Sequence, residues 1–248
     1  MLTPSLETAY KYAGEYKRLP VKKEIYSDIK TPIQVLKILK GISNHVYMLE
    51  SVENQENWGR YTFLGFEPSH SITCVDGKLS VKNDKGELIH SENTTHPAEY
   101  LKKLLEEYKS PSLQDFPTFT GGLVGYFSYD YIKYSEPALK LDAKDEEHFK
   151  DLDLMLFDKV IAFDNLKQKL IIVANISMEN IEDSYKRAEA DINKIIDIIK
   201  NGKEAHIEKG KIKSDYRRLF EKQEFCHMVE RAKQYIYEGD IFQVVLSN

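Results

Sequence analysis

Cysteine is scarce in this 248-residue chain. Cys74 and Cys226 are the only two, too few and too far apart for a disulfide framework or a zinc site. Long apolar runs are missing as well. The longest, Leu170 to Ala174, falls far short of the roughly 20 residues that span a bilayer. The N-terminal MLTPSLETAYKYAGEYKRLP has no apolar core of a secretory signal. These absences predict a cytoplasmic protein with no membrane partner. Positive charge is not in excess either: 35 Lys and Arg stand against 40 Asp and Glu, a net charge of −5. With no long basic run, nucleic acid is not an expected partner.

Familiar catalytic signatures are also missing. No glycine-rich run leads into Gly-Lys-Ser/Thr, and Gly121-Gly122-x-x-Gly125 has the wrong spacing for a dinucleotide fingerprint. The histidines form no H-x-x-x-H pair, and no G-x-S-x-G elbow occurs. Acidic pairs such as Asp151/Asp153 and Glu146/Glu147 read as solvated edges of strands and loops. No catalytic residue and no metal ligand is therefore assigned.

What is present is the patterning of a soluble α+β protein, with 42% hydrophobic and 30% charged residues. Thr31-Pro32 opens a helix, because threonine caps free N–H groups and proline suits the first turn. Its expected stripe is Ile33, Leu36 and Leu39, with Gly41 leaving through a left-handed conformation. Strands are expected from His45 to Glu50 and from Arg60 to Phe66. A meander follows, with Asp76-Gly77 as the hairpin signal. Pro97 to Tyr108 reads as a helix, and Gly121 to Phe127 as a strand whose glycines permit close backbone approach. Leu154–Phe163 and Lys169–Ile176 read as one hairpin.

A long helix is expected from about Asn180 to Lys200, with Ile181, Tyr185, Ala188, Ile192, Ile195 and Ile199 on its buried face. The polar stretch around Gly202 to Asp215 reads as a linker. Beyond it, Phe225, Val229, Ala232 and Ile236 mark another helix closed by Gly239, and Ile241 to Leu246 a buried strand. Since such a strand needs neighbours, its position at the end of the chain reads as truncation.

One segment carries chemistry. Leu49-Glu50-Ser51 ends a strand, and Trp58-Gly59-Arg60-Tyr61 brings the chain back. A carboxylate, a hydroxyl and a guanidinium brought together can address both ends of a free amino acid. Glu50 would take the ammonium, and Ser51 and Arg60 the carboxylate. An ordinary strand edge with turn residues accounts for the same pattern, and pattern alone leaves both readings open.

MLESVENQENWGRYTFLGFEP resembles the N-terminal region of anthranilate synthase component I, with Thr62 where serine is common. GGLVGYFSYDYIKYSE, DLDLMLFDKVIAFDNLKQKLIIVANI and GDIFQVVLSN are similar to later segments of that family, in the family's order. The resemblance implies an α+β fold with large β-sheets sandwiched between helical layers. It implies a regulatory domain over residues 1–205 and, over 216–248, the first helix and strand of an incomplete chorismate-binding domain. The full enzyme would be a lyase of tryptophan biosynthesis, converting chorismate and glutamine-derived ammonia to anthranilate and pyruvate. Its partner would be a glutamine amidotransferase subunit in a hetero-oligomer, and its cofactor Mg²⁺, with ligands beyond Asn248. The present chain alone would be inactive. Leu49, Glu50, Ser51 and Arg60 would form the tryptophan effector site. The alternatives are the related aminodeoxychorismate synthase component I, and a free-standing amino-acid-binding regulatory module.

Overall fold

The computed structural model describes residues 1–50, 59–136, 138–139, 141, 145, 147–208 and 210–248. The chain forms two compact units, Met1–His206 and Ile207–Asn248. The first holds two five-stranded antiparallel sheets. In spatial order, sheet one contains β1 (Arg18–Tyr26), β10 (Lys169–Ser177), β9 (Lys159–Asp164), β3 (Tyr61–Phe66) and β2 (Val46–Glu50). Sheet two contains β6 (Leu88–Asn93), β5 (Lys78–Asn83), β4 (His70–Val75), β8 (Leu152–Phe157) and β7 (Gly122–Phe127).

Helices supply the apolar surface each sheet needs. α1 (Leu6–Ala9), α2 (Pro32–Lys40) and α4 (Ile181–Asn201) share a core with sheet one, in which Val35, Leu39, Ile192 and Ile199 meet Leu19, Leu64 and Ile172. α3 (Pro97–Glu107) places Leu101 against Ile72, Leu79 and Leu154 of sheet two. The α+β class expected from the sequence is the one observed.

Local chemistry explains the element boundaries. Thr31 caps α2 in a reciprocal capping box with Gln34. The buried stripe of α2 is Val35, Ile38 and Leu39, whereas Ile33 is exposed. The expected stripe is thus rotated toward its neighbours, because packing against α4 and sheet one decides which face is buried. Gly41 is right-handed at φ −78°, not left-handed as expected; its smallness is used against Ile38 O and Ala205 instead. Asp76 and Gly77, both at positive φ, make the tight turn joining β4 to β5.

Two further expectations are corrected. The run read as one strand from Leu154 to Phe163 is two strands, β8 in sheet two and β9 in sheet one. The chain changes sheets at Asp158, whose carbonyl accepts from the backbone N–H and the side-chain amide of Asn175, at 2.9 and 3.0 Å. Strand β1 has no counterpart among the elements expected from the sequence; it pairs with β10 along its whole length.

In the second unit, α5 (Lys222–Glu238) ends on left-handed Gly239 at φ 82°, as the sequence suggested. Its apolar stripe is not buried, since no residue of α5 is. The strand expected over 241–246 does not form, and Phe242 and Val245 are 99% and 80% exposed. A strand requires a ladder partner, and none of the described strands pairs with this segment.

Candidate functional site

Alternate residues of a strand share a face, and this sorts the residues of β2. Leu49 lies opposite Phe63 and Glu50 opposite Thr62 in the antiparallel pair with β3. β2 is the outer strand of sheet one, so its last residues stand at a free rim. Leu49 is 47% exposed, and Glu50 is exposed with no ion pair among the described residues. Ser51 lies outside the described residues.

Tyr47 shares the face of Leu49, and its ring sits in an aromatic wall. Its centroid lies 4.7 Å from that of Phe157 and 6.4 Å from that of Phe119, both edge-on. Phe63 is 5.8 Å from Phe119 and 5.6 Å from Tyr61. The Tyr47 hydroxyl is buried without a partner among the described residues, and burial pushes its pKa well above the ordinary phenol value. Gly65 lies opposite Tyr47 in the register, and a Cβ there would collide with the tyrosine ring. The glycine of Phe63-Leu64-Gly65 is therefore the seat of the aromatic wall.

Arg60 is held by an ion pair with Asp164. Its Nε and Nη2 donate to Oδ1 and Oδ2 of Asp164 at 3.1 and 2.6 Å, and its guanidinium lies over the Tyr61 ring. The Asp164 side chain is 1% exposed. Oδ1 of Asp164 also accepts from Leu166 N–H and Lys167 N–H, at 3.2 and 2.9 Å. Burial alone would raise this carboxyl's pKa; the Arg60 fork and the two backbone donors outweigh it and hold the pKa below the usual carboxylate value. The same pairing raises the arginine's pKa further. Asp164 is the member of this arrangement that sequence reasoning missed; its only signal was the Asp-Asn turn.

A second polar cluster lies on sheet two. Asp151, expected at a solvated edge, is buried. Its Oδ2 accepts from Tyr134 Oη at 2.6 Å and Asp76 N–H at 2.8 Å, and its Oδ1 pairs with Lys133 at 2.8 Å. Asp153 pairs with Lys150, and Glu146 lies outside the described residues. Gly125 does provide the close approach expected of it, because a Cβ would run into the Asp153 carbonyl. Among the described residues no three His, Cys, Asp or Glu side chains converge on a metal-sized site, and no helix is long and apolar enough to cross a membrane.

Chemically, the end of β2 carries Leu49 on the aromatic-backed face and, one residue on and therefore on the opposite face, the Glu50 carboxylate, which forms no ion pair among the described residues. The Leu49 face can receive an aromatic side chain, and the Glu50 carboxylate on the other face can take an ammonium.

Comparison with known proteins bears on the same segment. Residues 44–248 match the chorismate binding enzyme family. The chain is 35% identical to anthranilate synthase component 1 of Acinetobacter calcoaceticus over 239 residues, covering 95% of this chain and 47% of that protein. Identity to the Acetivibrio thermocellus anthranilate synthase component 1 is 34%, over 100% of this chain and 51% of that protein. The chain thus spans about half the length of the curated relatives it matches. Among solved structures, anthranilate synthase component I of Streptococcus pneumoniae TIGR4 shares the fold, with a TM-score of 0.55 at 21% identity, over 87% of this chain and 45% of that one.

Proposed function

The chain belongs to the chorismate binding enzyme family, and from that membership we propose that it forms the N-terminal half of an anthranilate synthase component I and carries that enzyme's tryptophan feedback site. The observation that carries the reading is the 35% identity with the Acinetobacter anthranilate synthase component 1 over 95% of this chain. In this reading residues 1–205 are the regulatory part and residues 216–248 begin the chorismate-binding domain. The complete enzyme converts chorismate and ammonia to anthranilate and pyruvate, with ammonia supplied from glutamine by an amidotransferase partner. Mg²⁺ would polarise a substrate carboxylate. Among the described residues no three His, Cys, Asp or Glu side chains form a set that would hold it, and in this reading its ligands lie beyond Asn248.

The effector role is supported by the rim of β2. Tryptophan is a zwitterion with an indole, and it needs an anion for its ammonium, donors for its carboxylate and an apolar wall for its ring. In this reading Glu50 meets the first need and Leu49 with the Phe63 wall the third, from the two faces of the strand end, and Ser51 with Arg60 meets the second.

The test is made with the complete enzyme, chorismate, Mg²⁺ and ammonium, following anthranilate fluorescence across a tryptophan series. Anthranilate formation inhibited by tryptophan is expected. Losing one hydrogen bond to a charged group typically costs about 1.5–3 kcal/mol, so Ser51→Ala should raise the half-inhibitory tryptophan concentration roughly tenfold or more. Aminodeoxychorismate as the product, or superimposable wild-type and Ser51→Ala curves, would overturn the corresponding part of the reading.

A further inference from the structure

We propose that the cavity at the seam between the two sheets binds a small zwitterion of the free amino-acid class, with the ligand's ammonium on Asp158 and His70 and its carboxylate on Lys159. The inference goes beyond the tryptophan-site reading and does not depend on it. The cavity adjoins His45, just before β2, whereas Leu49 and Glu50 stand at the far end of that strand. It measures about 870 Å³, within the roughly 300–1,000 Å³ typical of small-molecule sites. Sheet two contributes His70 of β4 and Lys82 of β5, and sheet one contributes Lys159, which opens β9. Asp158, where the chain changes sheets, lines the same cavity.

Two acceptors of this cavity lack donors. Asp158 Oδ1 is buried without a hydrogen-bond partner among the described residues, and a buried carboxylate oxygen is costly until a donor reaches it. The second acceptor follows from a proton count. Ser69 Oγ gives its one proton to the Leu156 carbonyl at 3.2 Å. Its 3.1 Å contact with His70 Nδ1 therefore uses the Nδ1 proton, and a neutral imidazole then keeps a lone pair on Nε2. Burial, with the Arg18 charge, outweighs the opposing fields of Asp158 and Asp84 and lowers the His70 pKa, so the ring is neutral at pH 7. A primary ammonium carries three donors and matches an ionised carboxylate beside a neutral ring nitrogen. Asp158 and Lys159 are both half-buried, and neither belongs to an ion pair among the described residues. A simple amine would leave Lys159 uncompensated, and a simple anion would leave Asp158 Oδ1 without a donor. A zwitterion satisfies both. Ser43, Ser71 and Asn83 also line the cavity, which suits a ligand with a short polar side chain.

The experiment is an amide-resolved NMR titration of the 248-residue chain with three probes. They are L-serine, ethanolamine, which is serine without the carboxylate, and glycerate, in which a hydroxyl replaces the ammonium. L-Serine is expected to give saturable shifts centred on Ser69, His70, Asp158 and Lys159. Each half-ligand should bind at least about tenfold more weakly, as expected for losing one charge-assisted contact. Asp158→Asn and Lys159→Gln should each weaken L-serine by about tenfold as well. Asp158→Asn should leave glycerate binding unchanged, and Lys159→Gln should leave ethanolamine binding unchanged, because each variant removes the partner of a group that the half-ligand lacks. Should Asp158→Asn fail to fold, Lys159→Gln with the three probes decides. No saturable shift with L-serine, or equal affinity for L-serine and either half-ligand, would overturn the inference. So would saturable shifts confined to Leu49, Glu50 and their β3 partners, a result that would leave the effector reading standing. Seam binding as described, beside an unshifted Ser51→Ala inhibition curve in the complete enzyme, would remove the effector reading and uphold this one.

Discussion

Gly65 and Asp164 show how single residues set the geometry at the end of β2. Gly65 lies under the Tyr47 ring, where a Cβ has no room, and overpacking of this kind typically costs about 1–3 kcal/mol. Gly65→Ala is expected to lower the urea midpoint accordingly, while Gly210→Ala, with open space around it, should stay within about 0.5 kcal/mol of wild type. Asp164 predicts a pH dependence whose sign follows from its lowered pKa. Between its folded and unfolded pKa the unfolded chain binds the extra proton, so stability rises with pH across that window. The contribution is complete above the unfolded value of about 4 and is lost as pH falls through the folded one. Urea unfolding from pH 7 to pH 2 should show that acid loss in wild type and a flatter profile in Asp164→Asn. At this scale the sequence displayed Glu50 and Arg60 as chemistry, because charged residues beside a strand end are visible in one dimension. It hid Asp164, because an ion pair across 104 residues has no local pattern.

At the scale of elements, the reliable signals were those whose physics is local. The Thr31 cap, the Asp76-Gly77 turn and, except for the half-buried Tyr185, the 3.6-residue stripe of α4 match the expectation, since capping, positive φ and amphipathicity are properties of a few adjacent residues. The failures are tertiary. Which side of α2 is buried, and that β8 and β9 belong to different sheets, depends on neighbours remote in sequence. The Asp151 cluster is another such case, and it pins the 3-10 segment Tyr129–Tyr134 to the β4–β5 turn. Tyr134 Oη donates to Asp151 and accepts from Gly77 N–H at 2.6 Å. Burial and the Asp151 hydrogen bond raise its pKa, so the donor stays protonated. Tyr134→Phe removes both bonds and leaves the Gly77 donor unpaired, at an expected cost of about 1–3 kcal/mol. Chemical denaturation read by circular dichroism should show the midpoint lowered with the slope unchanged; an unchanged midpoint would mean that water replaces the hydroxyl without loss.

Across the whole molecule, burial is unevenly distributed, and stability should follow it. The core of sheet one is nearly continuous through β9 and β10, where Val160 to Phe163 and Leu170 to Ala174 are all buried, and α4 adds seven buried residues. By contrast α5, at 17 residues, buries none. Helices of about 12–15 residues or fewer are marginal in water without tertiary packing, and α5 is only slightly longer. Native-state opening is cheapest where apolar contacts are fewest and costs up to the full unfolding free energy in the core. Hydrogen exchange on the 248-residue chain is therefore expected to divide it in two. Amides of β9, β10 and the buried face of α4 should exchange only through global unfolding, with rates that move together on adding low urea. Amides of α5 should exchange by local fraying, orders of magnitude faster and insensitive to urea at the same concentrations. Protection of α5 equal to that of β10 would show that Phe225, Val229 and Ile236 are covered in solution, by a second copy if the protection falls on dilution. Faster exchange in β9 than in α4 would instead place the stability core in the helical layer and not in the sheet that carries Leu49, Glu50 and Arg60.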